Sequence, residues 1–171
     1  MAGESMFLTT YTSPRANAQI AFGSSFPGCI LPLEMDGVHS FIIQKHAFLA
    51  SQESVTLSTF FHKKLGTGFF GGEGFILQKL GGSGIAFLEI DGDIVEKRLA
   101  DGEVLQVDQG YIAGFDETVT FGITTVKGLK NKFFSGEGAF LATLKGPGRV
   151  WLQTMPFSIL ADRILSLVPK N

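Results

Sequence analysis

Apolar and polar positions alternate in short runs that glycine-rich segments separate. Residues 55–61 are a run of β-branched and aromatic side chains with Thr and Ser interleaved, which is typical of a strand. A connection with Lys and Gly and then a Gly-Glu-Gly segment follow, and residues 75–80 are the next apolar run. The glycines at residues 82–84 predict a turn, and residues 85–90 predict a returning strand. We therefore expect a hairpin here.

The same pattern occurs a second time, 64 residues further along the chain. Of the 36 positions from 53 to 88, 15 are identical to their counterparts at 117–152. Identity at one fixed spacing indicates duplication of a supersecondary unit. The sequence thus predicts a partial first β repeat at residues 1–36, a second at 37–100 and a third at 101–171 with a C-terminal helix, all packed as one compact body.

The first of these units begins in its middle. Residues 3–8 have a Gly-Glu-x-x-apolar-Leu form that returns at residues 72–77 and 136–141. The strand that precedes this segment in the other two units has no counterpart after Met1. We therefore expect the chain to be an N-terminally shortened version of a longer protein.

The C-terminal end follows a different period. Ser158 is a candidate N-cap, and apolar residues then recur at helical spacing before Pro169. The prediction is one short amphipathic helix. We expect it to pack on the sheet, and docking to a partner or a membrane surface is the alternative.

Composition supports an all-β protein. The chain has 22 Gly and 17 Phe among 171 residues, which suits short strands and tight turns in a sandwich or barrel. With 14 Lys and Arg against 16 Asp and Glu, it lacks the basic excess of a general nucleic-acid binder, so we expect no DNA partner. Cys29 is the only cysteine, which excludes an intramolecular disulfide. No apolar run approaches the ~18 residues of a membrane span.

Four segments closely resemble one known family. They are residues 69–84, 111–115, 133–138 and 146–154, and the last reads Gly-Pro-Gly-Arg-Val-Trp-Leu-Gln-Thr. The family is that of the altered-inheritance-of-mitochondria biogenesis protein, which has many bacterial members of undefined function. The resemblance implies a fold similar to the tryptophan RNA-binding attenuation protein, a short double-stranded β-helix that assembles into rings.

The same resemblance bears on function and location. No enzymatic activity is established for the family, and its mitochondrial members are associated with inner-membrane organisation, which implies a scaffolding role. This chain has no recognisable targeting segment at its start. We therefore expect a bacterial-type member in the cytoplasm.

Three repeated carboxylates are candidate site residues: Glu4, Glu73 and Glu137. Each lies in a Gly-rich corner, where a carboxylate accepts hydrogen bonds from turn amides or pairs with Lys or Arg. We expect this structural role. The alternatives are convergence near a pseudo-threefold axis to bind a cation or a basic partner, and general acid-base catalysis.

Aromatic and basic side chains also recur at equivalent places and form a second set of candidates: Phe69, Phe70, Phe133, Phe134, Lys63 and Lys127. Aromatic rings beside positive charge can stack and neutralise single-stranded RNA. Core packing is the expectation for the phenylalanines, and a subunit or peripheral membrane contact is an alternative. His39, His46 and His62 form no ligand pair, so we expect neither a metal nor a cofactor.

These observations favour a non-enzymatic β-repeat protein that forms homo-oligomers and acts as a scaffold or binding module for a protein partner. The edge strands of such a protein need covering, either by subunit pairing or by further strands. A small-molecule or single-stranded RNA binder is the alternative, and a cryptic enzyme comes third.

Overall fold

The computed structural model describes residues 8–63, 74–125 and 140–168 of the chain. These residues form antiparallel strands and one helix, which confirms the predicted all-β class with a short C-terminal helix. The elements are β1 (Gly28–Asp36), β2 (Phe41–Gln44), β3 (Phe48–Ser51), β4 (Val55–Lys63), β5 (Phe75–Asp91), β6 (Ile94–Leu99), β7 (Val104–Asp108), β8 (Ile112–Asp116), β9 (Thr120–Thr125), β10 (Phe140–Lys145), β11 (Gly148–Gln153) and α1 (Phe157–Ser166).

The long strand β5 runs through the predicted turn without reversing. Gly82 and Gly84 have φ values of 84° and 127°, which favour glycine, and a Cβ on Gly82 would lie 2.2 Å from the carbonyl oxygen of Ser54. Before this bend β5 pairs with β2 and β4, and after it with β1 and β3. The predicted hairpin is therefore wrong. The glycines bend one continuous strand from one pair of neighbours to another.

Strand neighbours in the second half of the chain match those in the first half. β11 lies between β6 and β8, as the second half of β5 lies between β1 and β3. β10 lies between β7 and β9, as the first half of β5 lies between β2 and β4. Phe41 pairs with Leu80, and 64 residues later Leu105 pairs with Leu144. Residues 64 positions apart can thus be compared as equivalents, while the division at residues 37 and 101 stays a prediction.

Two buried apolar clusters fill the interior, one for each half of the chain. The first includes Leu33 of β1 and Leu88 of β5, and the second includes Leu144 of β10. Each cluster also takes side chains from the opposite half: Trp151 packs into the first, and Ile42 packs into the second. The halves therefore share their cores where they meet.

The helix α1 begins at Phe157, so Ser158 lies inside its first turn and the predicted cap is wrong. The backbone N–H of Phe157 donates to the carboxylate of Asp91 at 2.8 Å. The Phe157 ring stacks on Phe26 with 4.1 Å between the ring centroids. None of the helix residues is fully buried, so α1 is held mainly at its start.

Candidate interaction site

Most of the candidate residues from the sequence lie outside the described residues. This applies to Glu4, Glu73, Glu137, Phe69, Phe70, Phe133, Phe134 and Lys127. Lys63 closes β4, where its backbone lies opposite Phe75. The roles predicted for the repeated carboxylates and for the basic aromatic set stay predictions.

The two halves of the chain are joined edge to edge by β2 and β8. Ile42 lies opposite Phe115, and Ile43 lies opposite Gly114. The side chains of Ile42 and Phe115 are both 0% exposed. Gly114 allows the close approach, because a Cβ there would lie 2.8 Å from the carbonyl oxygen of Ile42. This junction is apolar and tightly packed.

A charged clamp closes one end of the junction. The Arg149 guanidinium donates to both carboxylate oxygens of Asp116, with Nη2 to Oδ1 at 3.0 Å and Nε to Oδ2 at 3.1 Å. The guanidinium also lies over the rings of Phe41 and Trp151, at 5.6 and 5.1 Å from their centroids. Trp151 Nε1 donates to Glu96 at 3.0 Å. The hydrogen bond to Asp116 raises the pKa of Arg149, and its two-point geometry holds the guanidinium in place.

Further polar contacts cross the same junction. Gln153 Nε2 donates to Gln44 Oε1 at 3.2 Å and to the Gly110 carbonyl at 2.7 Å, and this amide pair is buried. Near the start of β2, at the end of the junction where the clamp lies, the Lys79 ammonium donates to Glu117, which lowers the pKa of that carboxyl. The amide bonds satisfy polar groups that would otherwise be costly to bury between the halves, whereas the Lys79–Glu117 pair is partly exposed.

The clamp leaves little room for a ligand. A depression of about 170 Å³ beside it is lined by Arg98, Leu99, Asp116, Gly148 and Arg149. Of the two cations in this depression, Arg149 is bonded to Asp116 and joins two strands, whereas Arg98 is exposed and lies 3.5 Å from Glu96. Across the part of the chain that the structure describes, no three His, Cys, Asp or Glu side chains are grouped to hold a metal.

Among the described residues, each half also has an edge of the same kind that no other strand covers. β3 is the equivalent of β8, and β7 is the equivalent of β2. Within residues 8–63, 74–125 and 140–168, β5 alone pairs with β3, and β10 alone pairs with β7. The residues of β2 are all buried, whereas those of β3 and β7 are half-buried or exposed.

An apolar patch lies on the outer side of β1, β3 and β5, beside the open β3 edge. We call it the outer patch, and it consists of Ile30, Leu49 and Phe87. Ile30 is 42% exposed and Phe87 is 37% exposed, while Leu49 is half-buried. Phe87 is the equivalent of Trp151, which is only 3% exposed because it packs on the first half of the chain. The outer patch thus repeats a surface that is covered in the second half.

Sequence reasoning missed the outer patch, although a signal was present. A strand with one solvated face alternates apolar and polar residues. Residues 29–33 and 85–88 are instead apolar on both faces. Such strands are expected to be covered on both sides, and here one side is open.

Together the fold and the junction define a class: an antiparallel β protein whose two halves are joined by one strand pair, β2 and β8, and by a shared apolar core. The chain belongs to the mitochondrial biogenesis AIM24 family, whose sequence model matches residues 1–155. This confirms the resemblance found in the sequence. The family match itself identifies no activity.

Among solved structures, the chain is similar to the X-ray crystal structure of a Streptococcus pyogenes protein. The two share 21% sequence identity with a TM-score of 0.68, over 85% of this chain and 62% of that one. This likeness supports the fold, and the chain spans less than two thirds of the streptococcal protein. No curated protein sequence matches the chain. In the described ranges no helix is long and apolar enough to cross a membrane.

Proposed function

We propose that this chain is a non-enzymatic protein of the cytoplasm that associates with copies of itself and serves as a scaffold or binding module. The observation that carries the proposal is the outer patch of Ile30, Leu49 and Phe87. Its equivalents in the second half of the chain lie against another β unit. A surface built in the same way is suited to the same kind of contact.

The energetics favour covering this surface. Burial of apolar area contributes roughly 25 cal/mol per Å², so an exposed Phe and Ile gain several kcal/mol from a well-fitted cover. The edges of β3 and β7 add unpaired backbone N–H and C=O groups, which readily pair with another strand. Self-association would cover the patch and pair the edges in one step.

The polar groups of the described residues support a structural role over a catalytic one. The Arg149 cation is held by Asp116, and the indole N–H of Trp151 is held by Glu96. Groups that bind one another between neighbouring strands beside the junction stabilise the sheet and are not presented to a substrate. The RNA binder and the cryptic enzyme depend largely on candidate residues outside the described ranges, and these alternatives and the small-molecule binder stay predictions.

The test is the solution mass of the chain by light scattering on a sizing column, over a hundredfold range of concentration up to about 100 μM. We expect a mass above that of the 18.4 kDa chain that rises with concentration to a defined multiple. A mass of one chain at every concentration would overturn self-association. The matched control is Val95→Ser on β6, which removes an exposed apolar side chain away from the outer patch and is expected to leave the mass unchanged.

A further inference from the structure

We propose that a second copy of this chain pairs its β7 with the β3 edge in the register that β2 and β8 use within one chain. The pairs Phe41–Asp116, Ile42–Phe115 and Ile43–Gly114 set that register. Shifted by 64 residues, it places Leu105 opposite Gln52, Gln106 opposite Ser51 and Val107 opposite Ala50. This interface rests on the proposed self-association and specifies its geometry.

The inference follows from continuity with the junction inside the chain. β3 pairs with β5 as β8 pairs with the equivalent strand β11. Both pairings contain the same bulge: the register shifts between Phe48 and Ala50 in the first, and between Trp151 and Leu152 in the second. β7 is likewise held by β10 as β2 is held by β5. In the part of the chain that the structure describes, each copy therefore has one open edge of each type, which is the condition for head-to-tail association.

The side chains beside the two edges support the same docking. Within the chain, Trp151 packs near Phe41, with 5.7 Å between the ring centroids. The equivalent pair is Phe87 of one copy and Leu105 of the other. Phe87 is exposed and Leu105 is only half-buried, so both have apolar surface left to bury.

Local chemistry makes this interface weaker than the internal junction. At the central pair, Gln106 and Ser51 stand where the junction has Ile42 and Phe115. Ala50 stands where the junction has Gly114, so its Cβ would press on the carbonyl of the opposite strand unless the strands separate slightly. We infer a reversible association and not a permanent one.

A pair of acidic residues weakens it further. The buried Gln153–Gln44 contact becomes Glu89 against Asp108 of the second copy. Glu89 already accepts hydrogen bonds from Ser24 Oγ at 3.0 Å and from the Ser25 N–H at 2.7 Å, so its own chain fixes the position of its side chain. Two carboxylates that approach one another oppose binding. Removing one of the charges should therefore tighten association.

Disulfide trapping tests the register. Two chains, Gln106→Cys and Ser51→Cys, are made in a Cys29→Ala background, mixed in equal amounts and mildly oxidised. Residues directly opposite in an antiparallel pair lie within the Cα separation that a disulfide spans. We expect a heterodisulfide between these two chains. The control replaces Ser51→Cys with Glu34→Cys, whose position on β1 is exposed and so at least as accessible to oxidation, and should give no such product.

The outcomes separate this interface from the function proposed above. Heterodisulfide formation supports the register. If light scattering finds an oligomer while the Gln106→Cys and Ser51→Cys chains do not cross-link above the Glu34→Cys control, the register is overturned and self-association stands. If the chain remains a monomer at every concentration, both are overturned.

Substitutions at the same interface provide a second measurement that does not depend on oxidation. Phe87→Ser is expected to raise the dissociation constant about tenfold or more. Asp108→Asn keeps the acceptor that the Gly110 N–H uses at 2.8 Å but removes the charge, and should tighten association several-fold. Ala50→Gly should also tighten association, because it removes the Cβ that would press on the opposite strand. If circular dichroism shows a folded Phe87→Ser chain with unchanged association, the outer patch is not the interface.

Discussion

The β2–β8 junction and the open β3 and β7 edges have equivalent backbone places but different side chains. Ile42 is 0% exposed, whereas its equivalent Gln106 is exposed. Phe115 is also fully buried, and its equivalent is the smaller, polar Ser51. Edge strands in general avoid unwanted pairing by polar or charged side chains. The comparison shows that side-chain chemistry, and not strand geometry, distinguishes the packed β2–β8 seam from the β3 and β7 edges.

Breaking the apolar seam should have the largest effect. Phe115→Ala removes a fully buried ring from the second core cluster, where Phe121 stacks on it at 5.7 Å between centroids. We expect the free energy of unfolding to fall by about 3–5 kcal/mol, from lost burial and the cavity left behind. Urea denaturation followed by circular dichroism measures it.

The matched control for that change is Ser51→Ala at the equivalent open position. It removes only a half-buried hydroxyl, so the free energy of unfolding should change by about 0.5 kcal/mol or less in dilute protein. Similar losses for Phe115→Ala and Ser51→Ala would contradict the contrast between seam and open edge.

The charged clamp should have an intermediate effect. Arg149→Met keeps much of the aliphatic stem but leaves Asp116, whose side chain is only 20% exposed, without its guanidinium partner. We expect a loss of about 1–3 kcal/mol in the free energy of unfolding, measured by the same denaturation. A large part of that loss should be recovered in the double variant Arg149→Met with Asp116→Asn, because the stranded charge is removed.

A second arginine on the same sheet controls for the loss of charge alone. Arg98 lies opposite Arg149 in the β6–β11 pairing, but its side chain is 78% exposed and its contact to Glu96 is 3.5 Å long. Arg98→Met should cost about 0.5 kcal/mol or less. Equal losses at Arg98 and Arg149 would mean that the clamp contributes nothing beyond a surface ion pair.

Much of the strand pattern could be predicted because alternation and turn glycines are local signals. The runs at residues 55–61 and 85–90 lie within β4 and β5, and the 64-residue spacing gives equivalent pairings. The direction of the chain at Gly82 could not be predicted, since the same positive φ serves a reversal or a bend. Only the packed neighbours on both sides of β5 decide between them.

The candidate site was less accessible to sequence reasoning. The outer patch depends on which face of a strand is covered, and that is set by partners far away along the chain. Arg149 and Trp151 lay inside the segment that carried the family resemblance, but their roles required Asp116 and Phe41 from two other strands. Spacing along the chain contains no record of such contacts. The capping of α1 by Asp91, 66 residues upstream of Phe157, escaped prediction for the same reason.

The smallest expected effect concerns the loops that lead into β2 and β7. Before β2, the Asp36 carboxylate accepts from the His39 N–H at 2.8 Å and pairs with the His39 ring. Before β7, the Glu103 carboxylate accepts from the Ala100 N–H at 2.9 Å. Both turns are closed by a carboxylate, but only the turn before β2 contains a group that titrates near neutral pH.

Hydrogen bonds from the His39 N–H, the His39 ring and the Val38 N–H hold the pKa of Asp36 well below its usual range. In return Asp36 raises the pKa of His39 above its ordinary 6.5, with a further contribution from Asp116 that Arg149 opposes. The raised His39 pKa stabilises the fold fully below about pH 6.5, and this contribution is lost as the pH rises through the folded-state pKa. The lowered Asp36 pKa stabilises the fold above about pH 4, and this contribution is lost at lower pH.

An NMR titration of the His39 ring protons tests this pairing. We expect a midpoint above 6.5 that falls toward 6.5 in Asp36→Asn, because the charge that favours the imidazolium is removed. The control is Glu34→Gln, which removes an exposed carboxylate from the same strand and should shift the midpoint much less. An unchanged midpoint in Asp36→Asn would mean that the Asp36 carboxylate does not pair with the His39 ring, and that the two turns do not differ in their response to pH.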